Sequence, residues 1–110
     1  MSRSGCAVLS LCLVAGTVNA AEMFPVPREL WDRPRSGRLV LNSAGVRQAV
    51  AALLEHPQAR LVIHHGRTQE PLLQAEELRS WLVALSVESS RISLTSDLQP
   101  NDPLQLEVMQ

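Results

Sequence analysis

The sequence has few cysteines, and both of them lie near its start. Cys6 and Cys12 are the two cysteines of the 110-residue chain. Both fall inside a segment, residues 1–20, that we predict to be removed, so the rest of the chain has no thiol and no disulfide. A domain of about ninety residues without disulfides must be held together by its apolar core.

The chain also has no lysine and no excess of positive charge. Ten arginines face eleven acidic residues, which gives a formal charge of −1. Loss of Arg3 with residues 1–20 makes this charge −2. A nucleic-acid-binding domain normally presents a basic face, and attachment to an anionic membrane also depends on basic residues. We therefore expect no nucleic-acid partner and no electrostatic membrane attachment.

The apolar run at the start of the chain is too short to span a bilayer, which needs about 20 residues. Residues 6–15 form this run, which follows Arg3 and precedes a polar stretch that ends at Ala20. This order is typical of a secretory signal peptide. We predict cleavage after Ala20, a periplasmic location and no transmembrane span afterwards. Lipidation at Cys12 is the alternative, but a bulky leucine precedes that cysteine.

Residues 21–37 are rich in proline and arginine. Three prolines in this space disfavour a regular helix or a central strand, so we predict an extended linker. Its apolar side chains, Phe24, Leu30 and Trp31, are expected to dock on the edge of the domain, with a partner-facing position as the alternative for Trp31. The domain itself is predicted over residues 38–110.

Apolar periodicity predicts the order strand, helix, strand, helix, strand, strand. A short apolar run over residues 38–41 predicts the first strand. From Ala44 the apolar residues recur at helical spacing until His56-Pro57, where the proline ends the helix. The later elements are predicted as strands over residues 59–65, 90–95 and 104–108, with a helix carrying Ala75 to Leu85 before the second of these.

This order predicts a two-layer α+β domain. Two strand–helix–strand units with right-handed crossovers place both helices on one face of a small mixed sheet, and the last strand is antiparallel. The uninterrupted apolar residues of 61–63 predict a central strand.

No set of residues predicts catalysis or metal binding. His64 and His65 are adjacent on a predicted strand, so their side chains point to opposite faces and cannot easily share a metal ion. The chain after residue 20 has no cysteine and no Gly-x-Ser-x-Gly motif. Glu76 and Glu77 lie on a helix surface. We therefore predict a protein that is not an enzyme and has no cofactor.

The stretch from Ala59 to Ile92 resembles a known family. It contains Gly-Arg-Thr-Gln at residues 66–69, Leu-Gln-Ala at 73–75 and Ser-Arg-Ile at 90–92. The order is similar to the periplasmic peptidoglycan-associating domain at the C-terminus of outer-membrane protein A (OmpA-like domains). In that family the corresponding motifs are Gly-His-Thr-Asp, Leu-Ser-x-x-Arg-Ala and Ser-Arg-Ile. The resemblance covers roughly residues 39–108.

The resemblance implies a site for the diaminopimelate residue of the cell-wall peptide. In the family an aspartate binds the ammonium group and an arginine binds the carboxylate. Here Gln69 and Gln74 take these positions, and neutral amides make weaker bonds. We expect the two to share a cleft in which recognition is weakened or lost, with Arg67 and Arg79 as candidate replacements for the cation. The candidate ligand-binding residues are Gly66, Arg67, Thr68, Gln69, Gln74 and Arg79.

Two functions follow from these expectations. The first is a non-catalytic periplasmic binding or structural module whose ligand is peptidoglycan. The alternative is an accessory protein–protein interaction module of an envelope complex, which would use residues 21–37 and a free sheet edge to contact an envelope protein.

Overall fold

The computed structural model describes residues 21–110; the predicted signal peptide and its cleavage site lie outside these residues. Within the described part no helix is both long and apolar enough to cross a membrane. The strands are β1 (Glu22–Pro25), β2 (Arg60–Gly66), β3 (Ile92–Leu98) and β4 (Gln105–Met109), and the helices are α1 (Gly37–Asn42), α2 (Ala44–Glu55) and α3 (Gln69–Ala84). Short 3-10 helices lie at Arg28–Asp32 and Ser89–Arg91.

The four strands form one mixed sheet in the order β1-β4-β2-β3. Strands β2 and β3 are parallel, whereas β4 runs antiparallel to both of its neighbours, β1 and β2. The predicted two-layer α+β domain with a mixed sheet is therefore confirmed. The described chain has three helices where the sequence predicts two.

The sheet has a covered face and an open face. Leu61 and Ile63 on β2, and Leu106 and Val108 on β4, point toward the helices and are each at most 1% exposed. Val62 alternates with them on the opposite side and is only partly buried. Burial of each large apolar side chain stabilises the fold by about 1.5–3 kcal/mol. The helix residues that complete this core are Val40, Val46, Ala49, Leu53, Ala75, Leu78 and Leu82.

The strand predicted over residues 38–41 is wrong, because these residues belong to helix α1. The Ser36 hydroxyl accepts a hydrogen bond from the Leu39 N–H at 3.2 Å, which caps the start of the helix. A short apolar run has no clear periodicity, so it fits a buried helix turn as well as a strand. The first strand is instead β1, where Phe24 pairs with Leu106.

Residues 21–37, predicted as a linker, contribute strand β1 and a 3-10 helix to the domain. Val26 and Leu30 are buried, and the Val26 N–H donates to the Leu104 carbonyl at 2.9 Å. Phe24 and Trp31 pack against the core, so the docking expected for Phe24, Leu30 and Trp31 is confirmed.

Helix α3 ends in a Schellman motif that uses a serine in place of the usual glycine. Ser86 has a φ of 84°, in the left-handed region that favours glycine. The Val87 N–H donates to the Leu82 carbonyl at 2.9 Å, and the Ser86 N–H donates to the Val83 carbonyl at 3.0 Å. This turn sends the chain toward strand β3.

Arg91 joins the end of α2 to the start of β2. Its Nε donates to the Ala59 carbonyl at 2.9 Å, and its Nη2 donates to the carbonyls of Leu53 at 3.0 Å and His56 at 2.9 Å. Carbonyls at the end of a helix lack partners within the helix, and a cation there also suits the helix dipole. The arginine of the Ser-Arg-Ile motif thus has a structural role in this chain.

Candidate functional site

A groove with a volume of about 440 Å³ lies between the 3-10 helix Arg28–Asp32, the first half of α3 and the loop between β3 and β4. Buried Pro71 and Leu104 contribute to its lining, together with Trp31. The 3-10 helix that forms one wall follows strand β1, and the loop that forms another wall precedes strand β4. Because β1 and β4 are neighbours in the sheet, the helix and the loop lie close together although they are far apart in sequence. Its polar lining residues are Arg28, Asp32, Arg35, Glu70, Gln74, Glu77, Asn101 and Asp102.

The groove carries charges of both signs, with an excess of carboxylates. Its four acids, Asp32, Glu70, Glu77 and Asp102, face two arginines, Arg28 and Arg35. They come from three separate parts of the chain, which only the folded structure brings together. A ligand with a free ammonium group and a carboxylate would find a partner for each.

One arginine and one acid of the groove bind each other. The Arg35 Nε donates to Glu77 Oε2 at 2.7 Å, and Nη2 donates to Glu77 Oε1 at 2.9 Å. The Trp81 indole N–H also donates to Glu77 Oε2, at 3.1 Å. The hydrogen bond from Arg35 is the main reason that the pKa of Glu77 lies below its ordinary value. The Arg35 guanidinium also lies 5.3 Å from the ring centre of Trp31.

Arg35 and Glu77 already bind each other, so the other charged residues of the groove remain for a ligand. Arg28, Asp32 and Glu70 are exposed. Asp102 has a further role, since its Oδ2 accepts the Gln99 N–H at 3.1 Å and so fixes the turn of the β3–β4 loop.

Of the two glutamines expected to share a cleft, Gln74 lines the groove and Gln69 does not. Both lie on α3, where five residues correspond to a rotation of about 140° around the helix axis. Gln69 is exposed at the first position of the helix, whereas Gln74 is half-buried beside the groove. The residue that enters the groove from the first turn is Glu70, next in sequence to Gln69.

Gly66 is the last residue of β2, and Arg67 and Thr68 connect this strand to α3. A side chain at Gly66 would come within 2.8 Å of the Gln99 carbonyl oxygen and 3.0 Å of the Pro100 Cα, so the close approach of the β3–β4 loop requires glycine there. Arg67 is exposed outside the groove. Thr68 precedes the first residue of α3 with extended backbone angles and makes no side-chain capping bond.

Arg79 lies in a second groove, of about 370 Å³, between α3 and strand β3. Glu76 and Ser80 line its helix side, and Ser93 and Leu94 line its strand side. Arg79 is therefore separated from Gln74, and the six predicted residues do not form one site.

The sequence analysis selected none of the six charged groove residues, namely Arg28, Asp32, Arg35, Glu70, Glu77 and Asp102. Arg28 and Asp32 belong to the segment predicted as a linker, so nothing in the sequence placed them beside α3. Glu70 has a clear signal, because it is the only carboxylate in the first turn of the helix and stands one residue beyond the position that the family resemblance marks.

A second polar cluster lies on the open face of the sheet, around His64. The His64 Nε2 is 2.7 Å from Glu107 Oε1, and Nδ1 is 2.9 Å from each carboxylate oxygen of Asp97. Burial lowers the pKa of His64, but the hydrogen bonds that its ring nitrogens make to Glu107 and Asp97, together with the negative charges of these two carboxylates, outweigh burial, so the pKa is raised. Its neighbour His65 points to the covered face, where its Nδ1 is 2.8 Å from the Gly66 carbonyl oxygen. Across residues 21–110 no group of three histidines, cysteines or acids has an arrangement suited to a metal ion.

No protein-family model matches the chain, and a search of curated proteins finds no match either. The likeness to OmpA-like domains therefore depends on the motifs quoted from the sequence.

Proposed function

We propose that this chain is a non-catalytic binding module of the cell envelope whose groove holds a short peptide bearing both an ammonium group and a carboxylate. The diaminopimelate-containing stem peptide of peptidoglycan has this chemistry. The single observation that carries the proposal is a groove lined by Glu70 and Gln74 from α3 and by Arg28 from the 3-10 helix Arg28–Asp32. The motif resemblance over residues 66–92 supports the same ligand class.

The ammonium group of the peptide is assigned to Glu70. This carboxylate enters the groove from the first turn of α3, beside the position where the family carries its aspartate. Asp32 and Asp102 face the same groove and add to its negative potential. Opposite charges in a partly enclosed groove attract more strongly than in bulk water, because the local dielectric constant is lower.

The carboxylate of the peptide is assigned to Arg28. The family arginine is replaced by Gln74, and the second groove arginine, Arg35, already binds Glu77 with both ends of its guanidinium. Arg28 is exposed and lines the groove from the 3-10 helix. A guanidinium can bind a carboxylate through two parallel hydrogen bonds, which gives orientation as well as affinity.

Titration calorimetry with a diaminopimelate-containing tripeptide tests this proposal. We expect binding by the wild-type protein and a loss of about tenfold or more in affinity for Glu70→Gln and for Arg28→Gln, since a charge-assisted hydrogen bond contributes about 1.5–3 kcal/mol. A tripeptide with lysine in place of diaminopimelate keeps the ammonium group and lacks the extra carboxylate. Arg28→Gln should therefore reduce its binding much less.

Arg67→Gln and Arg79→Gln are the matched controls, because both remove an exposed arginine outside the groove. They should leave the affinity within about twofold of the wild type. Gln74→Arg restores the family cation inside the groove and should strengthen retention on purified peptidoglycan. Equal losses in the groove variants and the controls, or no binding by any form, would refute the proposal.

A second candidate, docking of an envelope protein, is favoured by one observation. Strand β3 forms an edge of the sheet in the described part of the chain, and an exposed edge can accept an added strand. Ser93→Lys would place a charge on this edge and oppose strand addition. Loss of a partner protein by this variant, with unchanged tripeptide binding, would favour the second candidate.

A further inference from the structure

The cluster around His64 joins three neighbouring strands on the open face of the sheet. Glu107 extends from β4, His64 from β2 and Asp97 from β3, the edge strand. The imidazole therefore forms a bridge across the sheet, with one ring nitrogen directed to each side. Its side chain is 14% exposed, compared with 21% for Glu107 and 48% for Asp97.

This bridge needs a proton on both ring nitrogens. An ionised carboxylate only accepts hydrogen bonds, so two carboxylates can be satisfied together only by imidazolium, which has two N–H donors. Neutral imidazole has one donor and directs a lone pair at the other carboxylate. Asp97 is the carboxylate that loses its bond, because it is the more exposed of the two and water can replace the imidazole.

Charged side chains on the open face come from three of the four strands of the described sheet. The strand registers place Asp97 on β3, Glu107 on β4 and Arg60 at the far end of β2 itself, whereas β1 contributes only Met23 and Pro25. The two carboxylates in direct contact outnumber the one distant cation. Their combined effect raises the pKa of His64 above its ordinary value of 6.5, against the opposing effect of burial.

Asp97 stands at the end of β3, directly before the loop that forms one wall of the groove. Gln99 and Asp102 close that loop with two hydrogen bonds, at 3.0 Å from the Asp102 N–H to the Gln99 carbonyl and at 3.1 Å from the Gln99 N–H to the Asp102 carboxylate. Asp102 and its neighbours Pro100 and Asn101 line the groove. Asp97 thus lies three residues before Pro100, the first residue of the loop that lines the groove.

We propose that His64, bridging Glu107 and Asp97, is a proton-dependent clamp that fixes the β3–β4 loop and so regulates binding in the groove. In the imidazolium form the end of β3 is held to the sheet and the loop keeps its shape. Loss of the proton releases Asp97, and the groove wall becomes mobile. The effect of His64 on ligand binding in the groove rests on the proposed function, whereas its effect on the mobility of the β3–β4 loop does not.

Amide hydrogen exchange in the ligand-free protein tests the clamp. We expect the protection of the Gln99 and Asp102 amides to fall by about fivefold or less as pH rises from 6 to 8.5, because a partly exposed ion pair is a weak restraint. His64→Gln removes the titrating group, so protection in this variant should not follow the titration. Comparison of the two proteins at each pH cancels the intrinsic pH dependence of exchange. The control His56→Gln changes an exposed histidine at the end of α2 and should behave as the wild type.

Two further variants separate the clamp from a simple ion pair. In Asp97→Asn and in Glu107→Gln one carboxylate remains, and neutral imidazole can satisfy it with its single N–H. The loop response should therefore become small in both variants. A full response in Glu107→Gln would overturn the proposal, because it would show that the His64–Asp97 contact acts alone. A wild-type loop that does not change while the His64 imidazole titrates would overturn it as well.

The tripeptide links the clamp to the groove. If the proposed function is correct, the affinity of the wild-type protein for the tripeptide should fall over this pH range by about the same factor as the amide protection of the loop. The affinity of His64→Gln for the tripeptide should change little. If no tripeptide binds at any pH, the proposed function fails while the loop measurement still decides the clamp. If the tripeptide binds with the same affinity at both pH values while the loop responds, regulation of the groove is refuted.

Discussion

The two faces of the sheet are stabilised in different ways, and two adjacent residues show the difference. His65 lies on the covered face, is 4% exposed and has the neighbouring Gly66 carbonyl oxygen within hydrogen-bonding distance. His64 lies on the open face between two carboxylates from other strands. The covered face depends on apolar packing, whereas the open face depends on charge. The side of β2 that faces the helices thus contributes to stability in a way that depends little on pH, whereas the contribution of its open side depends on pH.

The largest difference between the faces should appear when a side chain is truncated on each. Ile63→Ala removes a fully buried side chain from the covered face and should lower the free energy of unfolding by about 2–5 kcal/mol. Val62→Ala, one residue away on the open face, should cost about 1 kcal/mol or less because Val62 is partly exposed. Urea denaturation measures both values. Similar losses for the two variants would contradict the assignment of the faces.

The covered face should also be intolerant of added volume where α2 meets β1. A side chain at Gly45 would overlap the Pro25 carbonyl oxygen, so Gly45→Ala should lower the free energy of unfolding by about 1–3 kcal/mol. Gly37→Ala is the matched control, because a side chain at Gly37 would meet the Leu85 Cδ2 at 3.7 Å, an ordinary contact. Thermal unfolding of both variants distinguishes the two sites. Equal stability of the Gly45→Ala and Gly37→Ala variants would mean that β1 can move away from α2 without a loss in the free energy of unfolding.

A smaller effect, of opposite sign, is expected at the end of α3 on the covered side. Ser86→Gly should raise the free energy of unfolding by about 1 kcal/mol, because its φ of 84° costs little for glycine. Ser80→Gly, an exposed position inside the same helix, should instead lower stability by a few tenths of a kcal/mol. Chemical denaturation of the pair gives the two signs. A loss in both variants would show that Ser86 has a favourable contact that offsets its backbone strain.

The smallest expected effect is specific to the open face and depends on pH. The pKa of His64 is raised in the folded state, so its contribution to stability is fully present below pH 6.5 and is lost as pH rises through the folded pKa. Each ion pair of this kind contributes less than about 1 kcal/mol. The free energy of unfolding of the wild type should therefore decrease more than that of His64→Gln between pH 6 and 9. Parallel pH profiles for the two proteins would contradict this role.

The parts of the fold with a strong periodic signal could be predicted from the sequence. Helix α2 begins at the predicted Ala44 and ends before the predicted His56-Pro57, and strands β2 and β4 lie within one residue of their predicted positions. Helix α3 begins earlier than predicted, at Gln69, because Pro71 is tolerated in a first helical turn. Strand β3 extends further than predicted, to Leu98.

The first strand could not be predicted because its evidence is tertiary. Strand β1 is only four residues long and ends at Pro25, and its pairing with β4 joins opposite ends of the domain. Local sequence carries no trace of that pairing. Residues 38–41 are more apolar than β1, which is why the sequence predicts the first strand there. In the structure these residues belong to a helix that Ser36 caps.

The site was predicted from motif positions, and this explains both what was found and what was missed. Gln74 lies in the groove, and Gly66 supports the loop that forms its wall. Gln69 and Arg79 lie outside the groove because helix geometry turns them to other sides of α3. Arg28 and Asp102 come from segments that only the sheet order brings beside α3. A motif fixes positions along the chain but not which distant residues complete a site.

The position of β4 in the sheet has a consequence for the order of folding. This strand is the last in sequence, yet it lies between β1 and β2 and is the only strand that β1 pairs with in the described sheet. Strands β2 and β3 can pair with α3 as their crossover as soon as residue 98 is available. Strand β1, the earliest strand of the described chain, stays unpaired until β4 has joined the sheet. We therefore expect the insertion of β4 between β1 and β2 to be the last step of folding. This step is also expected to be slow, because it pairs strands from opposite ends of the domain.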